Sequence, residues 1–399
     1  MSAFEPPDFY QLDDLLTSDE RRVRDAVRDW VESRFLPLVV RHHRDGTFPL
    51  ELAPELGQLG AFGPTISGYG CSGVGNVAAG LIMQELERGD SGLRTFASVQ
   101  GSLAMMAIHL FGSDEQKARW LPEMAQGTKL GAFALTEPEF GSNPGGLRCR
   151  ARKTTDGYLL DGSKRWIGNA TVADVVIVWA KVDGEPDVAA DTPQAIRGFL
   201  VEKGTPGFEP TIIEGKLSLR VGLTAQIKFS GCALPPDALL PRARGLRSPL
   251  ECLNHARFGI AWGAIGAAIA CYEEARHHTM RRLQFGRPIA SFQLVQAKLV
   301  RMLTEITKAQ LLAFRLAQLK DSGAVRHYHI SMAKMNNVAI ALETARAARD
   351  LLGAEGILDS HASFRHMCNL ESVKTYEGTE DIHLLALGQQ ITGIPAFAG

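Results

Sequence analysis

The sequence predicts an α+β protein of several domains, with helices first, a β-rich segment in the middle and a helical bundle at the end. Its 399 residues exceed what one hydrophobic core usually serves. Apolar residues recur at helical spacing in the first third, short β-favouring runs separated by Gly, Pro and Asp fill the middle, and helical spacing then returns. We therefore expect an N-terminal α-helical domain over residues 1–130, a middle β-barrel-like domain over 131–245 and a C-terminal four-helix bundle over 246–399.

The N-terminal helices are indicated by spacing and by a cap. Apolar side chains from Val23 to Phe35 recur every three or four residues, and Ser113 with Gln116 forms a capping box at the start of another helix. Between them, Gly68 to Gly73 match the GxGxxG pattern of dinucleotide-binding folds. No buried strand precedes these glycines and their surroundings are helical, so we expect a loop rather than a nicotinamide site.

The middle and C-terminal segments differ in their patterns. Val175 to Trp179 and Gly198 to Val201 are β-favouring runs between turns. After Pro241, Ala- and Leu-rich segments predict helices around residues 260–277, 292–319, 330–352 and 366–389, with breaks at 286–288 and 353–356. Long helices joined by short connections are typical of a bundle.

Composition and charge argue against several classes of function. A formal net charge of −1 and a charged fraction of 22% provide no electrostatic footprint for nucleic acid or an anionic membrane. The six cysteines form no CxxC pair, which argues against a structural zinc site and favours free thiols in a reducing compartment. The sequence begins without a secretory signal pattern, and its longest apolar run, Gly259 to Cys271, is too short to cross a bilayer. We expect a cytoplasmic protein with no metal, nucleic acid or membrane partner.

Several separated motifs point to one family. They are Leu135 to Pro144, Lys164 to Asn169, Arg282 to Gly286 with Gln293, and Tyr376 to Thr379. In this order and at these separations they resemble the signatures of the acyl-CoA dehydrogenase family, over nearly the whole chain. The resemblance implies the layout of helices, sheet and bundle expected above. It also implies bound FAD and the oxidation of an acyl-CoA thioester between Cα and Cβ, with hydride passing to flavin N5.

Glu377 matches the base of that family. Removing a proton next to a thioester needs a carboxylate with raised proton affinity and donors that polarise the carbonyl group. A carboxylate between Tyr376 and Gly378, in a segment rich in apolar residues, is expected to be poorly solvated, which raises its pKa. The resemblance also makes the Glu377 N–H one of the donors to the carbonyl group. The alternative is a solvated glutamate at a helix end.

The resemblance implies an FAD site built from two groups of residues. Arg282, Phe285, Gln293 and the segment 350–354 match contacts that come from a second subunit in relatives, which implies a homo-oligomer, expected to be a tetramer. Two alternatives are a plain core tryptophan at 166 and a surface charge at 282. Gly168 stands where most members carry a threonine. The full set is Phe133, Leu135, Thr136, Ser142, Trp166, Ile167, Gly168, Arg282, Phe285, Gln293, Asp350, Leu351, Leu352, Gly353, Ala354, Thr379 and Phe397.

The substrate is implied by a second set of matched residues. Arg94 and Glu87 match an arginine that binds the distal carboxylate in the glutaryl-CoA dehydrogenase branch and its paired glutamate, while Asn254 and Arg257 match positions near the nucleotide end of CoA. This branch oxidises and decarboxylates glutaryl-CoA to crotonyl-CoA. The alternative for Glu87 and Arg94 is a structural ion pair between helices. The full set is Glu87, Arg94, Thr95, Ser98, Ser142, Asn254, Arg257, Tyr376 and Gly378.

The expected function is therefore FAD-dependent dehydrogenation of glutaryl-CoA with decarboxylation, in amino-acid catabolism. An electron-transfer flavoprotein is the expected kind of electron acceptor. Two alternatives stay open at this point: a dehydrogenase or oxidase of a short monocarboxylyl-CoA, and a non-catalytic acyl-CoA-binding relative.

Overall fold

Helices precede and follow one β-rich segment in the computed structural model, which describes residues 7–183 and 188–396. This arrangement confirms the predicted fold class. The N-terminal part contains two π-helical turns, Val31–Phe35 and Val99–Met105. Its α-helices are α1 (Ser18–Trp30), α2 (Leu36–Asp45), α3 (Ala53–Gln58), α4 (Asn76–Gly89), α5 (Ser91–Ser98), α6 (Met106–Phe111) and α7 (Asp114–Ala125).

Side-chain caps fix the starts of several of these helices. The predicted capping box at α7 is confirmed: Ser113 Oγ accepts from the Gln116 N–H at 3.2 Å, and the Gln116 side chain accepts from the Ser113 N–H at 2.9 Å. At α5, the Asp90 carboxylate accepts from the Gly92 N–H at 2.7 Å. The segment Gly68 to Gly73 lies in the loop before α4, so the expectation of a loop there is confirmed.

The middle segment folds into one curled sheet. The strands are β1 (Gly131–Ala134), β2 (Arg150–Thr154), β3 (Gly157–Gly168), β4 (Val175–Asp183), β5 (Ile196–Glu202), β6 (Phe208–Ile212) and β7 (Thr224–Leu234). Their order in the sheet is β1-β4-β2-β3-β7-β6, with β5 pairing to β4, and β4 runs parallel to β1 and β2. β4 is buried along almost its whole length, as expected of a central strand.

The C-terminal part is a helical bundle around one long central helix. A short hairpin, β8 (Leu283–Gln284) and β9 (Arg287–Pro288), follows the first helix. The helices are α8 (Arg247–Arg281), α9 (Gln293–Asp321), α10 (His327–Leu351), α11 (Ala362–Thr375) and α12 (Glu380–Thr392). The expectation of one helix around 366–389 was wrong, because α11 ends at Thr375 and α12 begins only at Glu380. The backbone turns between them, with Glu377 at φ 52° and Gly378 at φ 96°.

Glycines let α4 and α8 approach each other closely. A Cβ atom at Gly266 would lie 1.9 Å from the Gln84 carbonyl oxygen, and one at Gly80 would lie 2.4 Å from the Trp262 ring. The apolar run from Gly259 to Cys271 is mostly buried in α8, at its contact with α4. Small side chains at this contact let the two helix backbones pack directly against each other.

The described residues contain no helix that combines the length and apolarity needed to span a bilayer. Within the same ranges, no group of three or more His, Cys, Asp or Glu side chains could hold a metal ion. The cysteines are free thiols, four of them buried.

We expect Gly266→Ala to destabilise the protein by about 1–3 kcal/mol, because the added methyl group overlaps the Gln84 carbonyl oxygen in a packed core. Gly388→Ala is the matched control, since nothing lies within 4 Å of its Cβ position in α12. It should be neutral or stabilising by up to about 1 kcal/mol through helix propensity. Thermal unfolding of both variants in one buffer measures this, and equal midpoints would contradict the close α4–α8 contact.

Candidate active site

A sharp loop of four residues, Tyr376 to Thr379, separates α11 from α12. Thr379 caps the start of α12, because its hydroxyl accepts from the Ile382 N–H at 3.2 Å. Glu377 has a left-handed backbone, which is uncommon for a residue other than glycine. A Cβ at Gly378 would lie 2.9 Å from His383 Nε2, so a glycine is needed there for space as well as for its positive φ. The fold thus holds one carboxylate in a strained turn between two helices.

The carboxylate of Glu377 is poorly solvated although its side chain is partly exposed. Its Oε2 atom is buried and has no hydrogen-bond partner within residues 7–183 and 188–396. Burial raises the pKa of Glu377 above the usual value for glutamate, and the positive charges of Arg94, Arg257 and Lys334 oppose that rise. A carboxylate in this environment is suited to take up a proton from a neighbouring carbon acid.

Arg94 and Glu87 form a fully buried ion pair beside this loop. Arg94 Nε donates to Glu87 Oε2 at 2.6 Å, and both side chains are inaccessible to solvent. A second guanidinium nitrogen of Arg94 donates to the Tyr376 hydroxyl. The bare backbone of Gly263 on α8 makes room for the pair, since a Cβ there would lie 2.1 Å from Glu87 Oε2.

Several polar atoms around this pair are left without partners. They are Arg94 Nη1, Glu87 Oε1, Thr95 Oγ1 and Ser98 Oγ, all buried and all without a hydrogen bond to the described part of the chain. Buried polar groups are nearly always hydrogen-bonded in folded proteins. The cluster therefore has unused donors and acceptors for a polar ligand. Burial also raises the pKa of Tyr376, which keeps its hydroxyl neutral.

Arg257 contacts the loop directly. Its Nε donates to the Glu377 carbonyl oxygen at 2.7 Å, and the residue lies on α8, three residues after Asn254. Burial lowers the pKa of Arg257, although the negative charge of Glu377 acts in the opposite direction and raises it. The sequence placed Arg257 and Asn254 at the nucleotide end of CoA. The structure adds a contact with the candidate base, and the CoA role of both side chains stays a prediction.

One face of the predicted cofactor site is held by the middle domain. Phe133 and Leu135 are buried and Thr136 is partly exposed. Lys164 Nζ donates to the Leu135 carbonyl oxygen and to Glu137 Oε1, both at 2.9 Å. Glu137 accepts in turn from two backbone N–H groups, at 148 and 149. This buried pair fixes the start of the loop that carries the exposed Ser142.

Trp166 is not a core tryptophan. Its side chain is 56% exposed, and its backbone is left-handed at φ 64°. Ile167 is 2% exposed and packs in the core of the middle domain, which leaves mainly its backbone for a ligand. A Cβ at Gly168 would lie 3.1 Å from Val99 Cγ2, so the backbone there is bare and close to the N-terminal domain. An exposed flat ring beside bare backbone and hydroxyl groups fits a flavin.

The second cofactor group lies on the surface of the single chain. Arg282, Gln293 and Asp350 are exposed, as are Gly353 and Ala354. Phe285, at the tip of the β8–β9 hairpin, is 92% exposed. Leu351 and Leu352 differ from this pattern, because their side chains pack in the core and only their backbone could reach a ligand. Phe397 lies outside the described residues.

The comparison with known proteins decides the family. Three family models match the chain: acyl-CoA dehydrogenase N-terminal domain over residues 17–128, middle domain over 132–232 and C-terminal domain over 243–392. The chain belongs to the acyl-CoA dehydrogenase family. Acyl-CoA dehydrogenase activity follows from this membership.

Similar proteins fall into two groups within the acyl-CoA dehydrogenases. A glutaryl-CoA dehydrogenase from Mycobacterium smegmatis, solved in complex with FADH2, is 46% identical with a TM-score of 0.95, and the match covers 99% of this chain and 100% of that one. Butyryl-CoA dehydrogenase from Megasphaera elsdenii is 30% identical with a TM-score of 0.89, covering 94% and 98%. The mitochondrial short-chain specific acyl-CoA dehydrogenase of Homo sapiens is 32% identical, covering 90% and 87%.

Sequence reasoning missed two residues of the candidate site. Lys334 on α10 and His383 on α12 are both buried under the Glu377 loop. A signal for Lys334 was present, because it falls in a stripe of helically spaced residues with Ile330 and Val338, all of them buried. A lone lysine in such a stripe indicates a buried charge with a specific partner.

The pKa of Glu377 predicts how the rate depends on pH. Only the ionised carboxylate can accept the α-proton, so the rate of flavin reduction by an acyl-CoA should fall as pH falls through the raised pKa. The acid limb should lie clearly above about 4.3, the value of an unperturbed glutamate. Anaerobic stopped-flow measurement between about pH 5 and 9 tests this, and a rate independent of pH over that whole range would contradict it.

Proposed function

We propose that the protein oxidises glutaryl-CoA between Cα and Cβ and then releases the distal carboxylate as carbon dioxide, giving crotonyl-CoA. The observation that carries this proposal is the buried Arg94, which keeps an unused Nη1 donor next to the base Glu377. A glutaryl thioester has a carbon acid at one end and an anion at the other. The site offers a carboxylate base for the first and a guanidinium for the second.

Glu377 performs the first step. It takes the α-proton, while its own N–H and the fixed turn at Gly378 orient the thioester carbonyl group. A bound FAD would supply the hydride acceptor for Cβ as the double bond forms. The bond between Cγ and the carboxylate then breaks, its electron pair is delocalised toward the thioester, and Cγ takes up a proton. The overall change is glutaryl-CoA, FAD and one proton to crotonyl-CoA, carbon dioxide and FADH2.

The polar cluster supports a carboxylate ligand over a purely structural ion pair. A structural pair would be expected to use its hydrogen-bonding atoms within the fold. Here Arg94 Nη1 and the hydroxyl groups of Thr95 and Ser98 are donors without acceptors. One carboxylate could accept from all three. The likeness to glutaryl-CoA dehydrogenase at 46% identity supports the same assignment.

A second candidate is a short monocarboxylyl-CoA such as butyryl-CoA. Relatives at 30% and 32% identity act on such chains according to their names, and they match nearly the whole length of this chain. With this substrate the Glu87–Arg94 pair would serve only to close the far end of the pocket. Neither decarboxylation nor a requirement for Arg94 would then follow.

We also propose a homotetramer in which a second subunit completes the FAD site. Its support is the exposed surface of Arg282, Phe285 and Gln293 in the single chain. Leu283 and Leu294, close to Phe285 in the sequence, are exposed as well, and a group of exposed apolar side chains is typical of a contact surface. An electron-transfer flavoprotein is the proposed acceptor of the electrons, and a cytoplasmic location stays a prediction.

We expect the Glu377→Gln variant to remain yellow and folded, with a flavin that glutaryl-CoA and butyryl-CoA no longer bleach, because an amide cannot take the α-proton. The matched control is Glu371→Gln on α11, which removes an exposed carboxylate paired with Arg346. It should bleach at the normal rate. Normal bleaching of the Glu377→Gln flavin would refute the base.

The double variant Glu87→Gln, Arg94→Gln tests the carboxylate clamp without leaving one buried charge unpaired. We expect kcat/KM for glutaryl-CoA to fall about 100-fold, the loss of a hydrogen-bonded charge pair, and kcat/KM for butyryl-CoA to change by less than about 5-fold. Turnover with a dye acceptor and release of carbon dioxide measure both. A preference for butyryl-CoA that the double variant leaves unchanged would favour the second candidate.

A further inference from the structure

Lys334 is a buried lysine whose acceptors are backbone carbonyl oxygens. It lies on α10 and is 1% exposed. Its Nζ donates to the carbonyl oxygens of Gly378 at 2.9 Å, Tyr376 at 3.1 Å and Lys374 at 3.5 Å. The first two of these groups flank Glu377 on either side. Its ammonium therefore binds the loop around Glu377 by the backbone alone.

This arrangement is unusual for a lysine. Lysine is rarely buried unless a carboxylate pairs with it, because desolvating an ammonium group is costly. The carbonyl groups at the end of α11 compensate in part, since they form the negative end of the helix dipole. Burial nevertheless lowers the pKa of Lys334 to about 7, and Glu377 is the main group acting in the opposite direction.

We propose that Lys334 is the positioning residue of the base: its ammonium holds the left-handed turn at Glu377 through the flanking carbonyl groups and supplies positive charge that keeps the Glu377 carboxylate ionised between turnovers. The inference rests on Glu377 being the base, as proposed above. It does not depend on whether the acyl group is glutaryl or butyryl.

The other charged groups at the loop do not provide this combination. Arg94 on α5 also lowers the pKa of Glu377, but it donates to the side chains of Glu87 and Tyr376 and not to the loop backbone. Arg257 on α8 donates to the carbonyl oxygen of Glu377 itself and not to the carbonyl groups that flank it. The two arginines stay protonated over the working pH range, whereas burial brings the pKa of Lys334 to about 7, so its charge is present below that pH and is lost above it. Glu380 on α12 is paired with Lys374.

His383 is a buried, neutral group that lies against Gly378 of the loop. Its Nδ1 lies 3.0 Å from Ser331 Oγ, one turn before Lys334 on α10. Burial lowers the pKa of His383 to about 3, so it carries no charge at neutral pH. Among the groups that face the loop in the described residues, Lys334 is therefore the cation whose charge can change near neutral pH.

The test uses Lys334→Met, which keeps the length but removes charge and donors, and Lys334→Gln, which keeps a donor without the charge. The acyl-CoA is whichever one bleaches the unmodified holoenzyme. For both variants we expect the acid limb of flavin reduction to move up by about one pH unit, because loss of a nearby positive charge raises the pKa of a carboxylate. Hydrogen–deuterium exchange of the 375–379 peptide should rise in the Met variant and less in the Gln variant.

Lys117→Met is the matched control, since Lys117 on α7 is also buried but pairs with Asp114, away from the loop. This variant should change neither the acid limb of the pH profile for flavin reduction nor the exchange rate of the 375–379 peptide. If the acid limb of flavin reduction stays at its original pH in a folded, FAD-loaded Lys334→Met or Lys334→Gln protein, the inference is overturned. Normal bleaching in Glu377→Gln would instead refute the base itself.

If neither Lys334 variant folds, the unmodified holoenzyme provides the measurement. Exchange of the 375–379 peptide, corrected for the intrinsic pH dependence with a peptide from α7, should become faster between about pH 6 and 9 as Lys334 loses its proton. A corrected rate that is constant over this range would overturn the proposal.

Discussion

The close contact between α4 and α8 is the constraint on which the rest of the site depends. Glycines on both helices bring the backbones together, with Gly266 against the Gln84 carbonyl group and Gly80 against Trp262. Gly263 on the same helix leaves room for the Glu87 carboxylate. The Glu87–Arg94 pair packed beside Gly263 is inaccessible to solvent, and Glu87 Oε1 and Arg94 Nη1 have no hydrogen-bond partner in the described residues, which makes them costly to leave unpaired.

The electrostatics of the site follow from this burial. A carboxylate moved out of water becomes a stronger base, and cations around it weaken that effect, so the final proton affinity of Glu377 is set by the balance between them. The cations come from three helices, with Arg94 on α5, Arg257 on α8 and Lys334 on α10. The proton affinity of the Glu377 carboxylate is therefore a property of how these helices pack, and not of the loop alone.

Periodicity and motifs in the sequence were sufficient for the order of helices, sheet and bundle, because these signals are local. The break between α11 and α12 was missed because the apolar pattern continues across it. The turn there depends on hydrogen bonds that Arg257 on α8 and Lys334 on α10 donate to the loop backbone. The sequence left Trp166 as either a cofactor contact or a core tryptophan, and the exposure of its side chain in the structure excludes the second interpretation. Leu351 and Leu352 fell in a matched segment, but helix geometry turns their side chains to the core. The helical spacing of Lys334 with buried apolar residues indicated a buried lysine, but its partners could not be predicted, because they are backbone carbonyl groups that residue types do not reveal.

The left-handed backbone at Glu377 has a consequence for how this protein can be altered. A non-glycine residue in that region costs folding free energy, and a glycine at the same position would relieve the strain. Trp166, on the predicted cofactor side, is in the same situation at φ 64°. Selection for stability alone would replace both side chains. The two positions thus mark where the demands of folding and of chemistry oppose each other, and where a search for more thermostable variants would select against activity.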